Sequence, residues 1–88
     1  MYKLYTTKTF DGRSKSFSRK HPELEEELRK RLDLLINNPF DNRLKTHKLS
    51  GILKNEWSIW LTYEYRITFV IKGDDIYLTN IGSHDEIY

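Results

Sequence analysis

Three places in the second half of the chain carry side chains suited to acid–base or anion chemistry. His47 lies in a basic stretch, residues 43–54 (RLKTHKLSGILK), which holds Arg43, Lys45, Lys48 and Lys54 and no acidic residue. Arg66 falls inside an alternating apolar run, in Glu64-Tyr65-Arg66-Ile67. The third place is Gly82-Ser83-His84-Asp85-Glu86-Ile87-Tyr88. Histidine titrates near neutral pH and serves as general acid or base. A guanidinium matches phosphate oxygens with two parallel hydrogen bonds. Each residue also has a plainer reading. Arg66 pairs with Glu64 or Glu56 at the sheet surface, since an arginine is costly to bury unpaired. His84 is a solvated histidine. Tyr88 packs on the sheet edge, or it is a stacking platform or hydroxyl donor, and Trp60 has the same options. No HExxH, GxGxxG, P-loop or GxSxG pattern occurs, so metal, dinucleotide and serine-hydrolase chemistry have no support.

These residues need a scaffold, and 88 residues allow one domain, spanning 1–88. A chain of this size buries roughly 60–70% of its unfolded surface, so each large apolar side chain matters. Twelve aromatics (six Tyr, four Phe, two Trp) are available to staple a small core. With no cysteine there is neither a disulfide framework nor a thiolate zinc site, which fits a reducing cytoplasm. The longest apolar stretch, Ile67 to Ile71, is far short of the about 20 residues of a membrane helix. Residues 1–15 lack the apolar block of a signal peptide. A net charge of +2 is too mild to demand a nucleic-acid partner by itself.

Residues 2–8, rich in Tyr and Thr, read as an opening strand. Residues 10–19 read as a first helix with Phe10 and Phe17 on one face, weakened by Gly12. Pro22 suits a helix start, and Leu24, Leu28, Leu32, Leu35 and Ile36 follow helical spacing up to Asn37-Asn38-Pro39. Glu25–Arg29, Glu26–Lys30 and Glu27–Arg31 are i,i+4 pairs on a solvated face. After residue 47 the period becomes two. His47 to Leu49 is a short strand. Trp57, Ile59 and Leu61 alternate with Ser58, Trp60 and Thr62, and Ile67, Phe69 and Ile71 with Arg66, Thr68 and Val70. Gly73-Asp74-Asp75 is a hairpin turn before a last strand at 76–81. The expected fold is α+β, with two helices packed on one face of a mainly antiparallel, twisted sheet of four or five strands. The other face, partly open, then carries Ser58, Trp60, Thr62, Arg66, Thr68 and Val70.

Three segments occur in a telling order: H-x-L-x-G at His47 to Gly51, a Trp-led strand with a Y-R-I-x-F arm from Trp57 to Phe69, and G-S-H-D-x-x-Y at Gly82 to Tyr88. Preceded by a strand and two helices, this order resembles the RelE/ParE superfamily of bacterial toxins from type II toxin–antitoxin systems. Within it the chain is most similar to the RelE, YoeB and YafQ ribonuclease branch.

The resemblance implies a metal-independent endoribonuclease, without cofactor, that cuts mRNA in the ribosomal A site. A 2′-hydroxyl attacks the adjacent phosphorus and the 5′-oxygen leaves. Carried over by position, Arg66 matches a phosphate-binding arginine and His84 a general acid or base. Tyr88 matches an aromatic that stacks on or orients the base, and His47 the histidine of YafQ-like toxins. Glu64 falls where those toxins have an aspartate, as a second acid–base group or a partner of Arg66. Lys45, Lys48, Lys54 and Trp60 are the implied RNA-binding set, and Trp60 stands where relatives often have His or Arg. The implied partners are a cognate antitoxin and mRNA on the ribosome, with no membrane. Two alternatives remain: a ParE-like gyrase inhibitor, and a degenerate module that only binds antitoxin.

Overall fold

Alternating apolar residues at 57–81 build the sheet, and helical spacing at 10–36 builds its cover. The computed structural model describes residues 1–51 and 55–88. The chain runs β1 (Lys3–Thr6), α1 (Lys8–Lys20), a 3-10 turn (Pro22–Leu24), α2 (Glu25–Asn37), a second 3-10 turn (Asn42–Leu44), β2 (His47–Lys48), β3 (Trp57–Trp60), β4 (Tyr65–Lys72), β5 (Asp75–Ser83) and α3 (His84–Ile87). The five strands lie in the order β1-β5-β4-β3-β2. β1 pairs parallel with β5, and the other three pairings are antiparallel.

One face of the sheet is the core. Ile59, Ile67, Phe69, Ile76, Leu78 and Ile81 are buried there with Phe10 and Phe17 of α1 and Leu35 of α2. Leu78 and Ile81 are an odd number of residues apart, which in a regular strand would put them on opposite faces. A bulge resolves this. Thr68 pairs with Asn80 while Phe69 pairs with Leu78, so Thr79 is the extra residue. Its hydroxyl lies 2.7 Å from that of Thr68 and also donates to Glu56, on the face opposite the core.

Thr7 ends β1 and starts α1. Its hydroxyl donates to the Leu78 carbonyl (2.9 Å) and accepts from the Phe10 amide (3.2 Å). This N-cap turns the chain out of the sheet, and α1 continues along the rest of β5. The expected helix start at Pro22 is a tighter 3-10 turn, and the α-helix proper begins at Glu25. Of the expected charge pairs, Glu27–Arg31 forms at 2.9 Å, whereas Arg29 turns to Glu26 rather than Glu25.

The expected division of the sheet into two faces holds, and its open face is more covered than the sequence implied. Ser58, Arg66 and Thr68 are buried. Residues 84–87 form a further helix, which packs against β4 and β5. Among the described residues, no helix is long and apolar enough to cross a membrane.

Leu35 is fully buried in the main core. Leu35→Ala is expected to lower stability by about 2–5 kcal/mol, read as a lower urea midpoint at unchanged slope.

Candidate functional site

The face opposite the core is assembled from strand neighbours. His47 pairs with Ser58, Ser58 with Thr68, Trp60 with Arg66, and Arg66 with Gly82. Period two puts these side chains together. Lys48, one residue on from His47, falls on the opposite side, with its ammonium 5.8 Å from the Trp57 ring centre. Lys45 is exposed, in a left-handed conformation (φ 55°). Lys54, expected to contact RNA, lies outside the described residues.

Arg66 is only 6% exposed and pairs with neither Glu64 nor Glu56 among the described residues. Its Nη1 donates to the carbonyls of Thr62 (2.9 Å), Tyr63 (2.8 Å) and Tyr65 (3.2 Å). Its charge rests on the Trp60 ring, 4.4 Å from the ring centre, an additional cation–π contact. Tyr63 meets the same indole edge-on at 5.8 Å. Arg66 Nε is buried without a partner. The loop carbonyl that Arg66 does not take, that of Glu64, accepts from the His84 amide at 3.0 Å. The Glu64 side chain is exposed.

That last bond starts α3. Ser83 caps it: its hydroxyl accepts from the Glu86 amide (3.2 Å) while Glu86 Oε1 accepts from the Ser83 amide (2.8 Å). Gly82 makes the close approach possible, since a Cβ there would stand 3.0 Å from Glu86 Oε1 and 3.3 Å from Arg13 Nη2. The Ser83 amide and hydroxyl bonds, with Arg13 and Lys20 nearby, hold the Glu86 carboxyl below its ordinary 4.5. Ahead of β2, Asp41 is held at about 2 by Arg43, and its side chain caps the turn that leads into the basic segment.

The helix carries His84 and Tyr88 back over the sheet. The Tyr88 hydroxyl lies 2.9 Å from His47 Nε2 and 2.8 Å from Ser58 Oγ. The Tyr88 ring stacks on His47 (6.2 Å between centres, 17°) and tilts against His84 (4.4 Å, 46°). His47 Nδ1 lies 3.1 Å from the Lys45 carbonyl, which can only accept, so Nδ1 carries a proton. His84 Nδ1 lies 3.7 Å from Asp85 Oδ1. Thus the fold brings His47, His84 and Tyr88 into contact. Arg66 and Trp60 are neighbours on the same face, two residues or about 7 Å further along β3. Ser58 was missed as a functional candidate. Its residue type gave no signal, and what marks it is the pairing directly across from His47. No group of three His, Asp or Glu side chains is placed to hold a metal ion among the described residues.

A family model described as the bacterial toxin of type II toxin–antitoxin systems, YafQ, matches residues 2–88. No curated protein matches the sequence. Among solved structures, YafQ from Escherichia coli BL21(DE3) superposes with a TM-score of 0.83 at 17% identity, covering 100% of this chain and 99% of that one. The E. coli DinJ–YafQ complex gives 0.82 at 17%, with coverages of 100% and 99%. A metal-bound toxin from Helicobacter pylori gives 0.83 at 27%, covering both chains fully.

Ser83→Ala is expected to destabilise α3 by about 0.5–2 kcal/mol, read as faster exchange of the Tyr88 amide, which donates to the His84 carbonyl. Because the Glu86 carboxyl is held below 4.5, its contribution is complete above that value. It is lost as the pH falls through the lowered value. In the parent protein, protection of the Tyr88 amide is therefore expected to fall on acidification below about 4.5, and Glu86→Gln to remove most of that dependence.

Proposed function

The chain belongs to the YafQ family of bacterial toxins of type II toxin–antitoxin systems, and from that premise we propose that it is an endoribonuclease that cuts mRNA in the ribosomal A site. The observation that carries the reading is the convergence of His47, His84 and Tyr88 on one partly open sheet face. Cleavage of an RNA chain by its own 2′-hydroxyl needs a base for that hydroxyl, an acid for the departing 5′-oxygen and positive charge for the phosphorane.

His47 is the base. Its Nδ1 proton is committed to the Lys45 carbonyl, so in the neutral ring the lone pair is on Nε2, facing the site. His84 is the acid. Its side chain is 58% exposed, and with Nδ1 on the side of Asp85 (3.7 Å) its Nε2 is left to reach the leaving oxygen. Arg66 supplies positive charge to the phosphorane from its buried place beside Trp60. Glu64, exposed on the loop beside His84, is a second acid–base group. The Tyr88 ring, half exposed, offers a surface on which a base stacks. Trp60 stacks on a base with the ring face that Arg66 leaves free, and Lys45 contacts the RNA backbone, while Lys48 lies on the other side of the sheet. The resting partner is a cognate antitoxin, as DinJ is for the E. coli neighbour. The working partner is mRNA on the ribosome, in the cytoplasm.

Primer extension on an mRNA in programmed ribosomes tests this. The purified protein is expected to produce cuts confined to the A-site codon. His84→Ala is expected to slow them by about 10²–10⁴ while antitoxin affinity stays unchanged. An uncut message combined with inhibition of DNA gyrase would move the protein to the ParE type. An uncut message with antitoxin binding alone would make it a degenerate module.

A further inference from the structure

We propose that Ser58 is a positioning residue, and that the Tyr88 hydroxyl carries the 2′-hydroxyl proton to His47; this rests on the ribonuclease reading above. Ser58 is fully buried, and its strand pairs on one side with Thr68 and on the other with His47. Its Oγ therefore stands at a fixed point, 2.8 Å from the Tyr88 oxygen. Tyr88 is its only side-chain hydrogen-bond partner among the described residues.

The direction of this chain follows from counting protons. Neutral His47 holds its one proton on Nδ1, against the Lys45 carbonyl. Nε2 must then accept, so the Tyr88 hydroxyl donates to it across 2.9 Å. A phenol has one proton, so in this state the bond that Tyr88 donates to Ser58 in the structure turns round, and Ser58 donates to the Tyr88 oxygen. When His47 is an imidazolium, the order is the one in the structure: Nε2–H donates to Tyr88, and Tyr88 donates to Ser58. Ser58 satisfies both states because a hydroxyl both gives and accepts.

A neutral imidazole has one lone pair to offer, and Tyr88 occupies it. The incoming 2′-hydroxyl reaches the base through the remaining lone pair of the Tyr88 oxygen. In the step, the 2′-hydroxyl proton passes to the Tyr88 oxygen and the phenol's own proton passes to His47 Nε2. The 2′-oxygen–phosphorus bond forms and the phosphorus–5′-oxygen bond breaks. The 5′-oxygen takes its proton from His84. Tyr88 ends neutral, now donating to Ser58, and His47 ends as the imidazolium.

The test is single-turnover cleavage of mRNA in programmed ribosomes at saturating protein. Ser58→Ala is expected to cut the rate about tenfold, the size of one net hydrogen bond, with half-saturation unchanged. In a Tyr88→Phe background the same change is expected to cost nothing further, because the hydroxyl that Ser58 orients is gone. Ser58→Thr keeps a hydroxyl and restores most of the rate. A substrate with sulfur in place of the 5′-oxygen separates base from acid, since a thiolate leaves without a proton. It is expected to rescue His84→Ala and to leave the Ser58→Ala and Tyr88→Phe losses in place. Unchanged rates, additive losses, or rescue of Ser58→Ala by the sulfur substrate would overturn the assignment and leave the ribonuclease reading standing. Failure of the parent protein to cut any message would overturn both.

Discussion

The candidate site depends on how one buried charge is satisfied. Arg66 sits at the second position of β4 at 6% exposure, and an uncompensated cation there would cost on the order of several kcal/mol. Among the described residues no carboxylate meets it. Three backbone carbonyls of the 62–65 segment do, and they bend that loop around the guanidinium. The fourth carbonyl, that of Glu64, is left facing outward, where it accepts from the His84 amide. The same charge that folds the loop therefore sets the point from which α3 leaves the sheet. From that point the capping box fixes the helix direction, and the helix delivers His84 and Tyr88 over His47 and Ser58. Arg66 has a structural task whatever it does at a phosphate. Lysine would keep the charge but would lose the flat guanidinium that rests on the Trp60 ring.

A second constraint is that β5 serves two faces. Its first half pairs with β1 and its second half runs beside α1. The bulge at Thr79 lets Leu78 and Ile81 both reach the core. It also turns a hydroxyl to the other side, toward Thr68 and Glu56. The polar face is thereby knit together by short side chains, which leaves room for α3 to lie close. Gly82, under the helix, serves the same end.

Much of this was legible because period two is unambiguous where large apolar residues alternate. Trp57, Ile59, Ile67 and Phe69 assigned the faces, and the His47 strand, though two residues long, was visible from its pattern and the following Ser50-Gly51. The resemblance to the toxin superfamily named His47, His84 and Tyr88, which the fold brings together. Three things were not legible. The bulge adds one residue to β5 and leaves no mark in composition, since Leu78-Thr79-Asn80-Ile81 reads as an ordinary strand. The partner of Arg66 was expected to be acidic, because sequence shows side chains and not which carbonyls a loop will offer. Ser58 carried no charge and no titratable group, so nothing in its type set it apart from any outward strand residue. Its significance comes from its neighbours across the sheet.

Tyr88 shows why a short, exposed helix suffices at such a site. Its ring is half exposed, while its hydroxyl is anchored 2.8 Å from a fully buried serine. The two ends of one side chain thus sit in different environments, a rigid one fixed by β2 and β3 and a solvated one. A loop-borne phenol without that anchor would sweep through many positions, and few would keep its hydroxyl against both His47 and Ser58. With it, the loss of freedom is met when the protein folds rather than when a ligand binds. The strands therefore supply the precision, and the four-residue helix supplies only reach. That division explains how a helix too short to be stable alone holds a residue to within hydrogen-bonding distance of two partners.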